Sequence, residues 1–270
     1  MQEQRTASVI FAAGYGSRMK NYQGNKTLLP LVPREDPYKG ENLVISEVIR
    51  NLPQGPKAVI VNHRKDEVIA ATLDSDVFHY EQPVANGTGG ALIAARNFLE
   101  KVDQEYCIIT MGDVPFVKAE TYRKLVEGLR EKHIVVLGFE PMDKAQYGML
   151  DIIDGEVESI IEWRYWREYP LERQKQLKIC NSGIYAVERP VLIKYLLKLK
   201  DRPHYVEKVR GEQMMVVEEY FITDLIKLMT DDGLRVGFNM VEEEKEVMGI
   251  DTQEDLISAQ AIFKAMSKRD

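Results

Sequence analysis

Cysteine is nearly missing from this 270-residue chain: Cys107 and Cys180 are its two, and each sits inside an apolar run, YCIITMG and LKICNSG. Such a pair supports neither a disulfide framework nor a thiolate metal site and reads as two reduced core thiols. Positive charge is also scarce. Lys and Arg number 36 against 43 Asp and Glu, a formal charge of -7, so the chain has no overall basic face for nucleic acid and any anionic ligand must be met by a local cluster. No run approaches the ~18 apolar residues of a membrane span, and the amino-terminal MQEQRTAS lacks an apolar signal core, which sets a cytoplasmic location as the expectation. Histidine is rare as well, and His63 in VNHRKD has no Cys or Ser nucleophile motif beside it, so it reads as a capping or packing residue.

What the chain does have is 44% hydrophobic and 29% charged residues, enough to bury a full core and to exclude disorder. Short apolar runs, among them ASVIFAA, KAVIVN, DVFHYE, YCIITM, HIVVLGF, GMLDII, ICNSGIYAV and LRVGFNM, are strand candidates. Between them lie amphipathic stretches such as NLVISEVIRNL, KDEVIAATLD, GGALIAARNFLEKV, AETYRKLVEGLREK and EDLISAQAIFKAMSK. Strand followed by helix, repeated, predicts an α/β fold: a Rossmann-like, mixed but mostly parallel sheet with helices on both faces. Ligands of such sheets collect at the carboxyl ends of the strands. No internal repeat or low-complexity linker divides the chain, so one domain over 1–270 is expected, with the less regular 162–178, EWRYWREYPLERQKQLK, as a flap beside the site.

The run VIFAAGYGSRMKNYQGNK ends an apolar strand in two glycines and then supplies Arg18 and Lys26. If Gly14 and Gly16 adopt positive φ, the loop can turn its N–H groups on an anion, with Arg18 and Lys26 adding full charge; the same residues also fit a tight turn with a solvated basic edge. Two common phosphate loops are excluded. Asn25 separates Gly24 from Lys26, which breaks a P-loop, and Met19 stands where a dinucleotide fingerprint needs its third glycine. Further on, TMGDVP places Asp113 just past a strand, and GIDTQEDL places Asp251 before a Thr252/Asp255 helix cap. Both acids have ordinary readings, as a turn Asp and as a helix-dipole partner, but two carboxylates from distant strand ends are also what a Mg2+ site needs.

FAAGYGSRM followed by Lys26 in NKTLLPL, then EQPVANGTGGAL, TMGDVP, QYGML, IIEW, NSGIY, YFITDLI and GIDTQEDL in that order, resembles the sugar-1-phosphate nucleotidyltransferases, the pyrophosphorylases that make nucleotide sugars. The resemblance is strongest to the uridylyltransferase domain of the bifunctional N-acetylglucosamine-1-phosphate enzymes, without their acetyltransferase β-helix, and covers nearly the whole chain. It implies a nucleotide-diphospho-sugar transferase fold. It also implies Arg18 and Lys26 as catalytic cations, and Asp113 and Asp251 as ligands of Mg2+. Nucleotide contacts fall on Ala12, Ala13, Gly14, Gly16, Gln82, Gly87 and Thr88; acceptor contacts fall on Gly148, Glu162, Asn181 and Thr223. The partners so implied are an NTP, with UTP expected, and a phosphorylated small-molecule acceptor.

Some positions depart from the pattern. Phe221 stands where the family has a tyrosine two places before Thr223, and Arg164 where it has a lysine two places after Glu162. The run WRYWREY after Glu162 is unusual for these enzymes. It reads as a packed flap or as an aromatic platform, and a platform would suit a quaternary ammonium such as choline. Two other functions therefore stand beside the uridylyltransferase: a cytidylyltransferase acting on phosphocholine or a similar phosphorylated alcohol, and a non-catalytic module that binds a nucleotide sugar.

Overall fold

The computed structural model describes residues 5–16, 18–19, 22–210 and 213–267. The strands are β1 (Thr6–Ala12), β2 (Pro30–Pro33), β3 (Gly40–Leu43), β4 (Lys57–Val61), β5 (Phe78–Glu81), β6 (Tyr106–Met111), β7 (Ile134–Phe139), β8 (Met149–Ile153), β9 (Glu156–Ile161), β10 (Cys180–Glu188), β11 (His204–Arg210), β12 (Gln213–Glu219) and β13 (Val236–Met240). The helices are α1 (Val44–Asn51), α2 (Lys65–Ala71), α3 (Gly87–Ala94), α4 (Arg96–Lys101), α5 (Ala119–Gly128), α6 (Trp163–Trp166), α7 (Leu171–Gln176), α8 (Arg189–Lys200), α9 (Asp224–Asp231) and α10 (Gln253–Met266).

A nine-stranded sheet runs in the order β13-β7-β10-β6-β1-β4-β5, with β8 and β9 attached beside β10. β10 is antiparallel to both its neighbours, while β13/β7, β6/β1, β1/β4 and β4/β5 pair in parallel. The sheet is therefore mixed and mostly parallel along this path, as the alternation of runs predicts. All of β1 is buried, the condition of a strand covered on both faces. Its alternate side chains enter different cores. Val9 and Phe11 join Leu92, Phe98, Leu192 and Leu225 from α3, α4, α8 and α9 on one face. Ile10 and Ala12 join Ile45, Val68 and Tyr122 from α1, α2 and α5 on the other.

This topology brings distant segments to one edge. β1 ends at Ala12, β5 at Glu81 and β6 at Met111, so 13–16, Gln82 and Asp113 all follow parallel strand ends. Because β10 runs the opposite way, its first residues lie at that same edge, where Cys180 pairs with Phe139 at the end of β7. Helix α10 packs Leu256 and Phe263 against Leu29, Leu31 and Val44 in a third core. Buried Gln260 ties it down, donating through Nε2 to Pro30 O (2.9 Å) and Pro37 O (2.8 Å).

Several elements are absent from the strand and helix candidates read from the sequence. The hairpins β2–β3 and β11–β12 form separate two-stranded sheets. The stretch GGALIAARNFLEKV divides at Ala95 into α3 and α4. The segment 162–178 folds as α6 and α7, with Trp166 buried and its Nε1 donating to Tyr147 O (2.8 Å).

Candidate active site

The glycine loop, the β5–α3 turn and the end of β6 enclose a cavity of about 390 Å3. Ala12, Ala13, Gly14, Gly16, Lys26, Gln82, Gly87, Thr88 and Asp113, all singled out from the sequence, line it. Gly16 has φ +61°, the left-handed conformation its role requires. Gly14 does not share it, which corrects the expectation of positive φ at both glycines. A Cβ at Gly14 would meet no protein atom within 4 Å, so the missing side chain keeps space clear beside the cavity. Gly87 is strained for any other residue, with φ +91° and a virtual Cβ 2.5 Å from Tyr220 O.

Asn25, which rules out a P-loop in the sequence, organises this loop. It is buried; Nδ2 donates to Ala12 O (2.8 Å) and His63 O (2.9 Å), and Oδ1 accepts from Thr27 N (3.0 Å) and Thr27 Oγ1 (2.9 Å). All its polar capacity for direct bonds is thus spent on fixing the next residue, Lys26, over the end of β1.

Lys26 Nζ pairs with Asp113 and donates to Asp251 Oδ1 (2.7 Å). Arg18 Nη1 donates to Asp251 Oδ2 (2.5 Å). The carboxylates come from positions 113 and 251, and a backbone bond joins their segments: Ile250 N donates to Asp113 O (3.1 Å). Asp251 is set just before α10, whose start has the expected capping box, Asp255 N donating to Thr252 Oγ1 (3.1 Å) and Thr252 N to Asp255 Oδ2 (2.8 Å). Burial opposes the Lys26 charge, but Asp113 and then Asp251 outweigh it and hold the ammonium above the usual lysine range. Burial likewise opposes ionisation of Asp251, and Lys26 followed by Arg18 reverses the balance, leaving its carboxyl below the usual range. Two cations and two anions therefore neutralise one another at the edge of the cavity.

The four residues expected to contact the acceptor form a second group. Thr223 Oγ1 donates to Glu162 Oε1 (2.7 Å), Asn181 N donates to Gly148 O (2.8 Å), and a Cβ at Gly148 would lie 3.8 Å from Glu162 Oε2. Asn181 also donates through Nδ2 to the Tyr185 hydroxyl (2.8 Å) and accepts at Oδ1 from Gly183 N (2.9 Å). Two contacts connect this group to the cavity: Ile222 N donates to Thr88 Oγ1 (3.2 Å), and Gly183 leaves room for the cavity-lining Met111, whose Cε would be 2.9 Å from a Cβ there.

The departures gather here. The guanidinium carbon of Arg164 lies 4.8 Å from the Phe221 ring centroid and 5.4 Å from that of Tyr165, and that of Arg167 lies 4.4 Å from Trp163. The neighbouring Tyr220 hydroxyl donates to Glu218 (3.3 Å). Sequence reasoning missed Asn25, Met111 and Glu219, the last a buried acid lining the cavity. The one signal for Asn25 was its place between Gly24 and Lys26; Met111 and Glu219 look like ordinary strand residues.

The donor set at Asp113 and Asp251 fits a hard divalent ion. Their oxygens converge on a single ammonium, and Mg2+ takes one or two carboxylates with water and substrate phosphates. Among the described residues no group of three or more His, Cys, Asp or Glu converges, so an ion here would draw its remaining ligands from substrate and water. No helix among the described residues is long and apolar enough to cross a membrane.

Residues 8–171 match the model of the MobA-like NTP transferase domain. The bifunctional protein GlmU of Ruegeria sp. (strain TM1040) is 30% identical over 273 residues, 98% of this chain and 54% of that protein. GlmU of Caldicellulosiruptor saccharolyticus is 27% identical, covering 96% and 52%. The chain thus spans about half the length of these curated relatives. The crystal structure of the uridine diphosphate N-acetylglucosamine pyrophosphorylase of Trypanosoma brucei superposes with a TM-score of 0.71 at 14% identity, over 96% of this chain and 65% of that one, a likeness of fold.

Proposed function

Because the chain belongs to the family of MobA-like NTP transferase domains, we propose that it transfers a uridylyl group from UTP to a sugar-1-phosphate, forming a nucleotide sugar and pyrophosphate with Mg2+ as the cation. The observation that carries this reading is the cluster of Arg18, Lys26, Asp113 and Asp251 at the rim of a cavity that also holds Gln82 and the glycine loop.

The chain's residues divide the work. Gln82 and the backbone around Ala12–Gly14 take the base, while Gly16 turns the loop along the phosphates. Arg18 and Lys26 leave their carboxylates for the β- and γ-phosphates, where their charge meets the charge that grows on the leaving group. Asp113 and Asp251, so released, hold the cation. Mg2+ held there would supply charge neutralisation between the two phosphate groups. Glu162 and Thr223 exchange their mutual bond for sugar hydroxyls, and Asn181, which accepts from Gly183 N beside the cavity-lining Met111, links the acceptor group to the cavity.

No general base is needed. A sugar-1-phosphate is already ionised near neutral pH, so its oxygen forms the new bond to the α-phosphorus as the α–β bridging bond breaks and the electron pair leaves on pyrophosphate. The phosphocholine alternative has less support, since the aromatic faces that would receive a quaternary ammonium carry the guanidinium groups of Arg164 and Arg167.

The test is pyrophosphate release from four NTPs against a panel of sugar-1-phosphates and phosphocholine. Release that needs UTP, a sugar-1-phosphate and Mg2+ together is expected. Release only with CTP and phosphocholine selects the alternative, and nucleotide-sugar binding without turnover on any pair selects a binding module.

A further inference from the structure

Gln82 is nearly buried at the end of β5, and both of its amide hydrogens are committed within the chain. Nε2 donates to Asn86 Oδ1 (2.9 Å) and to Gly87 O (3.0 Å). A ligand that reaches this side chain meets only the carbonyl oxygen Oε1, with no N–H left to offer it. Turning the amide over would set Oε1 against two acceptor oxygens. One of these, Gly87 O, is backbone; the other is a replaceable side chain.

Asn86 can stand there because of a residue four places on. A Cβ at position 90 would lie 1.8 Å from Asn86 Oδ1 and 2.9 Å from Gln82 Nε2, so Gly90 is what lets the two amides meet. The backbone of Asn86 is fixed separately, its carbonyl accepting from Tyr220 N (2.9 Å). A change of its side chain alone therefore leaves the anchor of the turn in place.

We propose that Asn86 is a positioning residue that sets which pyrimidine the site accepts, by holding the Gln82 amide with its oxygen, rather than its nitrogen, presented to the base. The inference rests on reading Gln82 as a base contact. Uracil presents N3–H, a donor that an amide oxygen accepts; cytosine has an unprotonated N3 in the same place and would set a lone pair against Oε1. A site with the amide fixed this way discriminates through a repulsive contact as well as an attractive one.

The experiment is calorimetric titration of the protein with UTP and with CTP in Mg2+, read as the ratio of the two Kd values, so no acceptor need be known. The wild-type protein favours UTP. Asn86→Ala narrows the ratio by about 10-fold, mainly through tighter CTP binding, because one of the two bonds that oppose amide inversion is gone. Asn86→Asp, which keeps an oxygen at Oδ1, retains most of the discrimination. Gly90→Ala reaches the same end with Asn86 intact, since its Cβ displaces that oxygen and crowds Gln82 Nε2 as well, and it keeps the proposal decidable should Asn86→Ala fail to fold.

A role confined to stability would weaken both nucleotides in parallel, and an unchanged ratio in Asn86→Ala and Gly90→Ala overturns the proposal. If Gln82→Ala abolishes the preference while those two variants preserve it, the base contact stands and the role of Asn86 falls. A wild-type preference for CTP, or a preference untouched in Gln82→Ala, removes both.

Discussion

The two ends of the site are built differently. At the nucleotide end, position is set by the backbone and by side chains that serve only to hold it. Asn25 binds Ala12 O and His63 O, and Ile250 N binds Asp113 O, so the charged groups meet because the chain holds them there. At the acceptor end the expected contacts are tied to one another, Glu162 to Thr223 and Asn181 to Tyr185, and Arg164 rests on Phe221. In the proposed reaction an acceptor competes for those groups; the Glu162–Thr223 bond joins side chains alone, whereas Asn181 also accepts from the backbone N–H of Gly183. On the proposed function, the chemistry falls at the end held by backbone bonds and the choice of acceptor at the end held mainly by side chains. The departures from the family pattern, Phe221 and Arg164, both fall at the acceptor end.

Substitutions that test this division have graded effects. Asp113→Asn is expected to lower turnover by roughly 1000-fold and Arg18→Ala by roughly 100-fold or more, as for loss of single groups that stabilise transition-state charge. Steady-state pyrophosphate release measures both, and near-normal turnover in either would take that residue out of the mechanism. At the other end, Glu162→Gln should raise the acceptor KM by about 10-fold and leave the UTP KM unchanged, the mark of a contact confined to one substrate. An equal rise in both KM values would merge the two ends into one.

Asn25→Ala leaves two donors and two carbonyls short of partners at a buried position and is expected to cost about 1–3 kcal/mol of stability in a denaturant titration. A variant as stable as the wild type would show that the loop is held elsewhere.

The smallest effect concerns pH. The folded Asp251 carboxyl lies below its unfolded value because Lys26 and Arg18 outweigh its burial. Its contribution to stability is therefore complete above the ordinary carboxylate range and lost as pH falls through the depressed folded pKa. Lys26, raised in the folded state, contributes fully below the ordinary lysine range, so the pair is intact from neutral to moderately alkaline pH. Asp251→Asn should flatten the acid limb of a stability-against-pH curve and leave the alkaline limb in place up to that range. An acid limb of unchanged slope would contradict the assignment.

Legibility in the sequence follows the same division. Strands covered on both faces, such as ASVIFAA and YCIITM but not β5, the half-exposed edge strand that leads to Gln82, stand out as continuous apolar runs, and with them the positions of the glycine loop and Asp113 at strand ends. The hairpin strands HYVEKVR and QMMVVEE do not, because they pair only with each other and mix charged with apolar residues. Residue type alone places Asp251 before a helix, and only the family resemblance sets it beside Asp113, since the bond that joins them belongs to the backbone of Ile250 and leaves no trace in residue type. Asn25 and Asn86 are illegible for a related reason: each satisfies groups of the chain itself. Nor does residue type announce that Asn86 and Gly87 take both hydrogens of the Gln82 amide.

The claim beneath this account is that Asp113 and Asp251 serve a cation while Arg18 and Lys26 serve phosphates, the four being paired with one another in this structure. Titrating UTP into wild-type and Asp251→Asn protein, once with excess Mg2+ and once with a chelator, tests it most directly. The account predicts a crossover: with Mg2+ the variant binds UTP more weakly than the wild type, and with chelator it binds more tightly, because Arg18 and Lys26 no longer share their charge with that carboxylate. The same rank order under both conditions would contradict it.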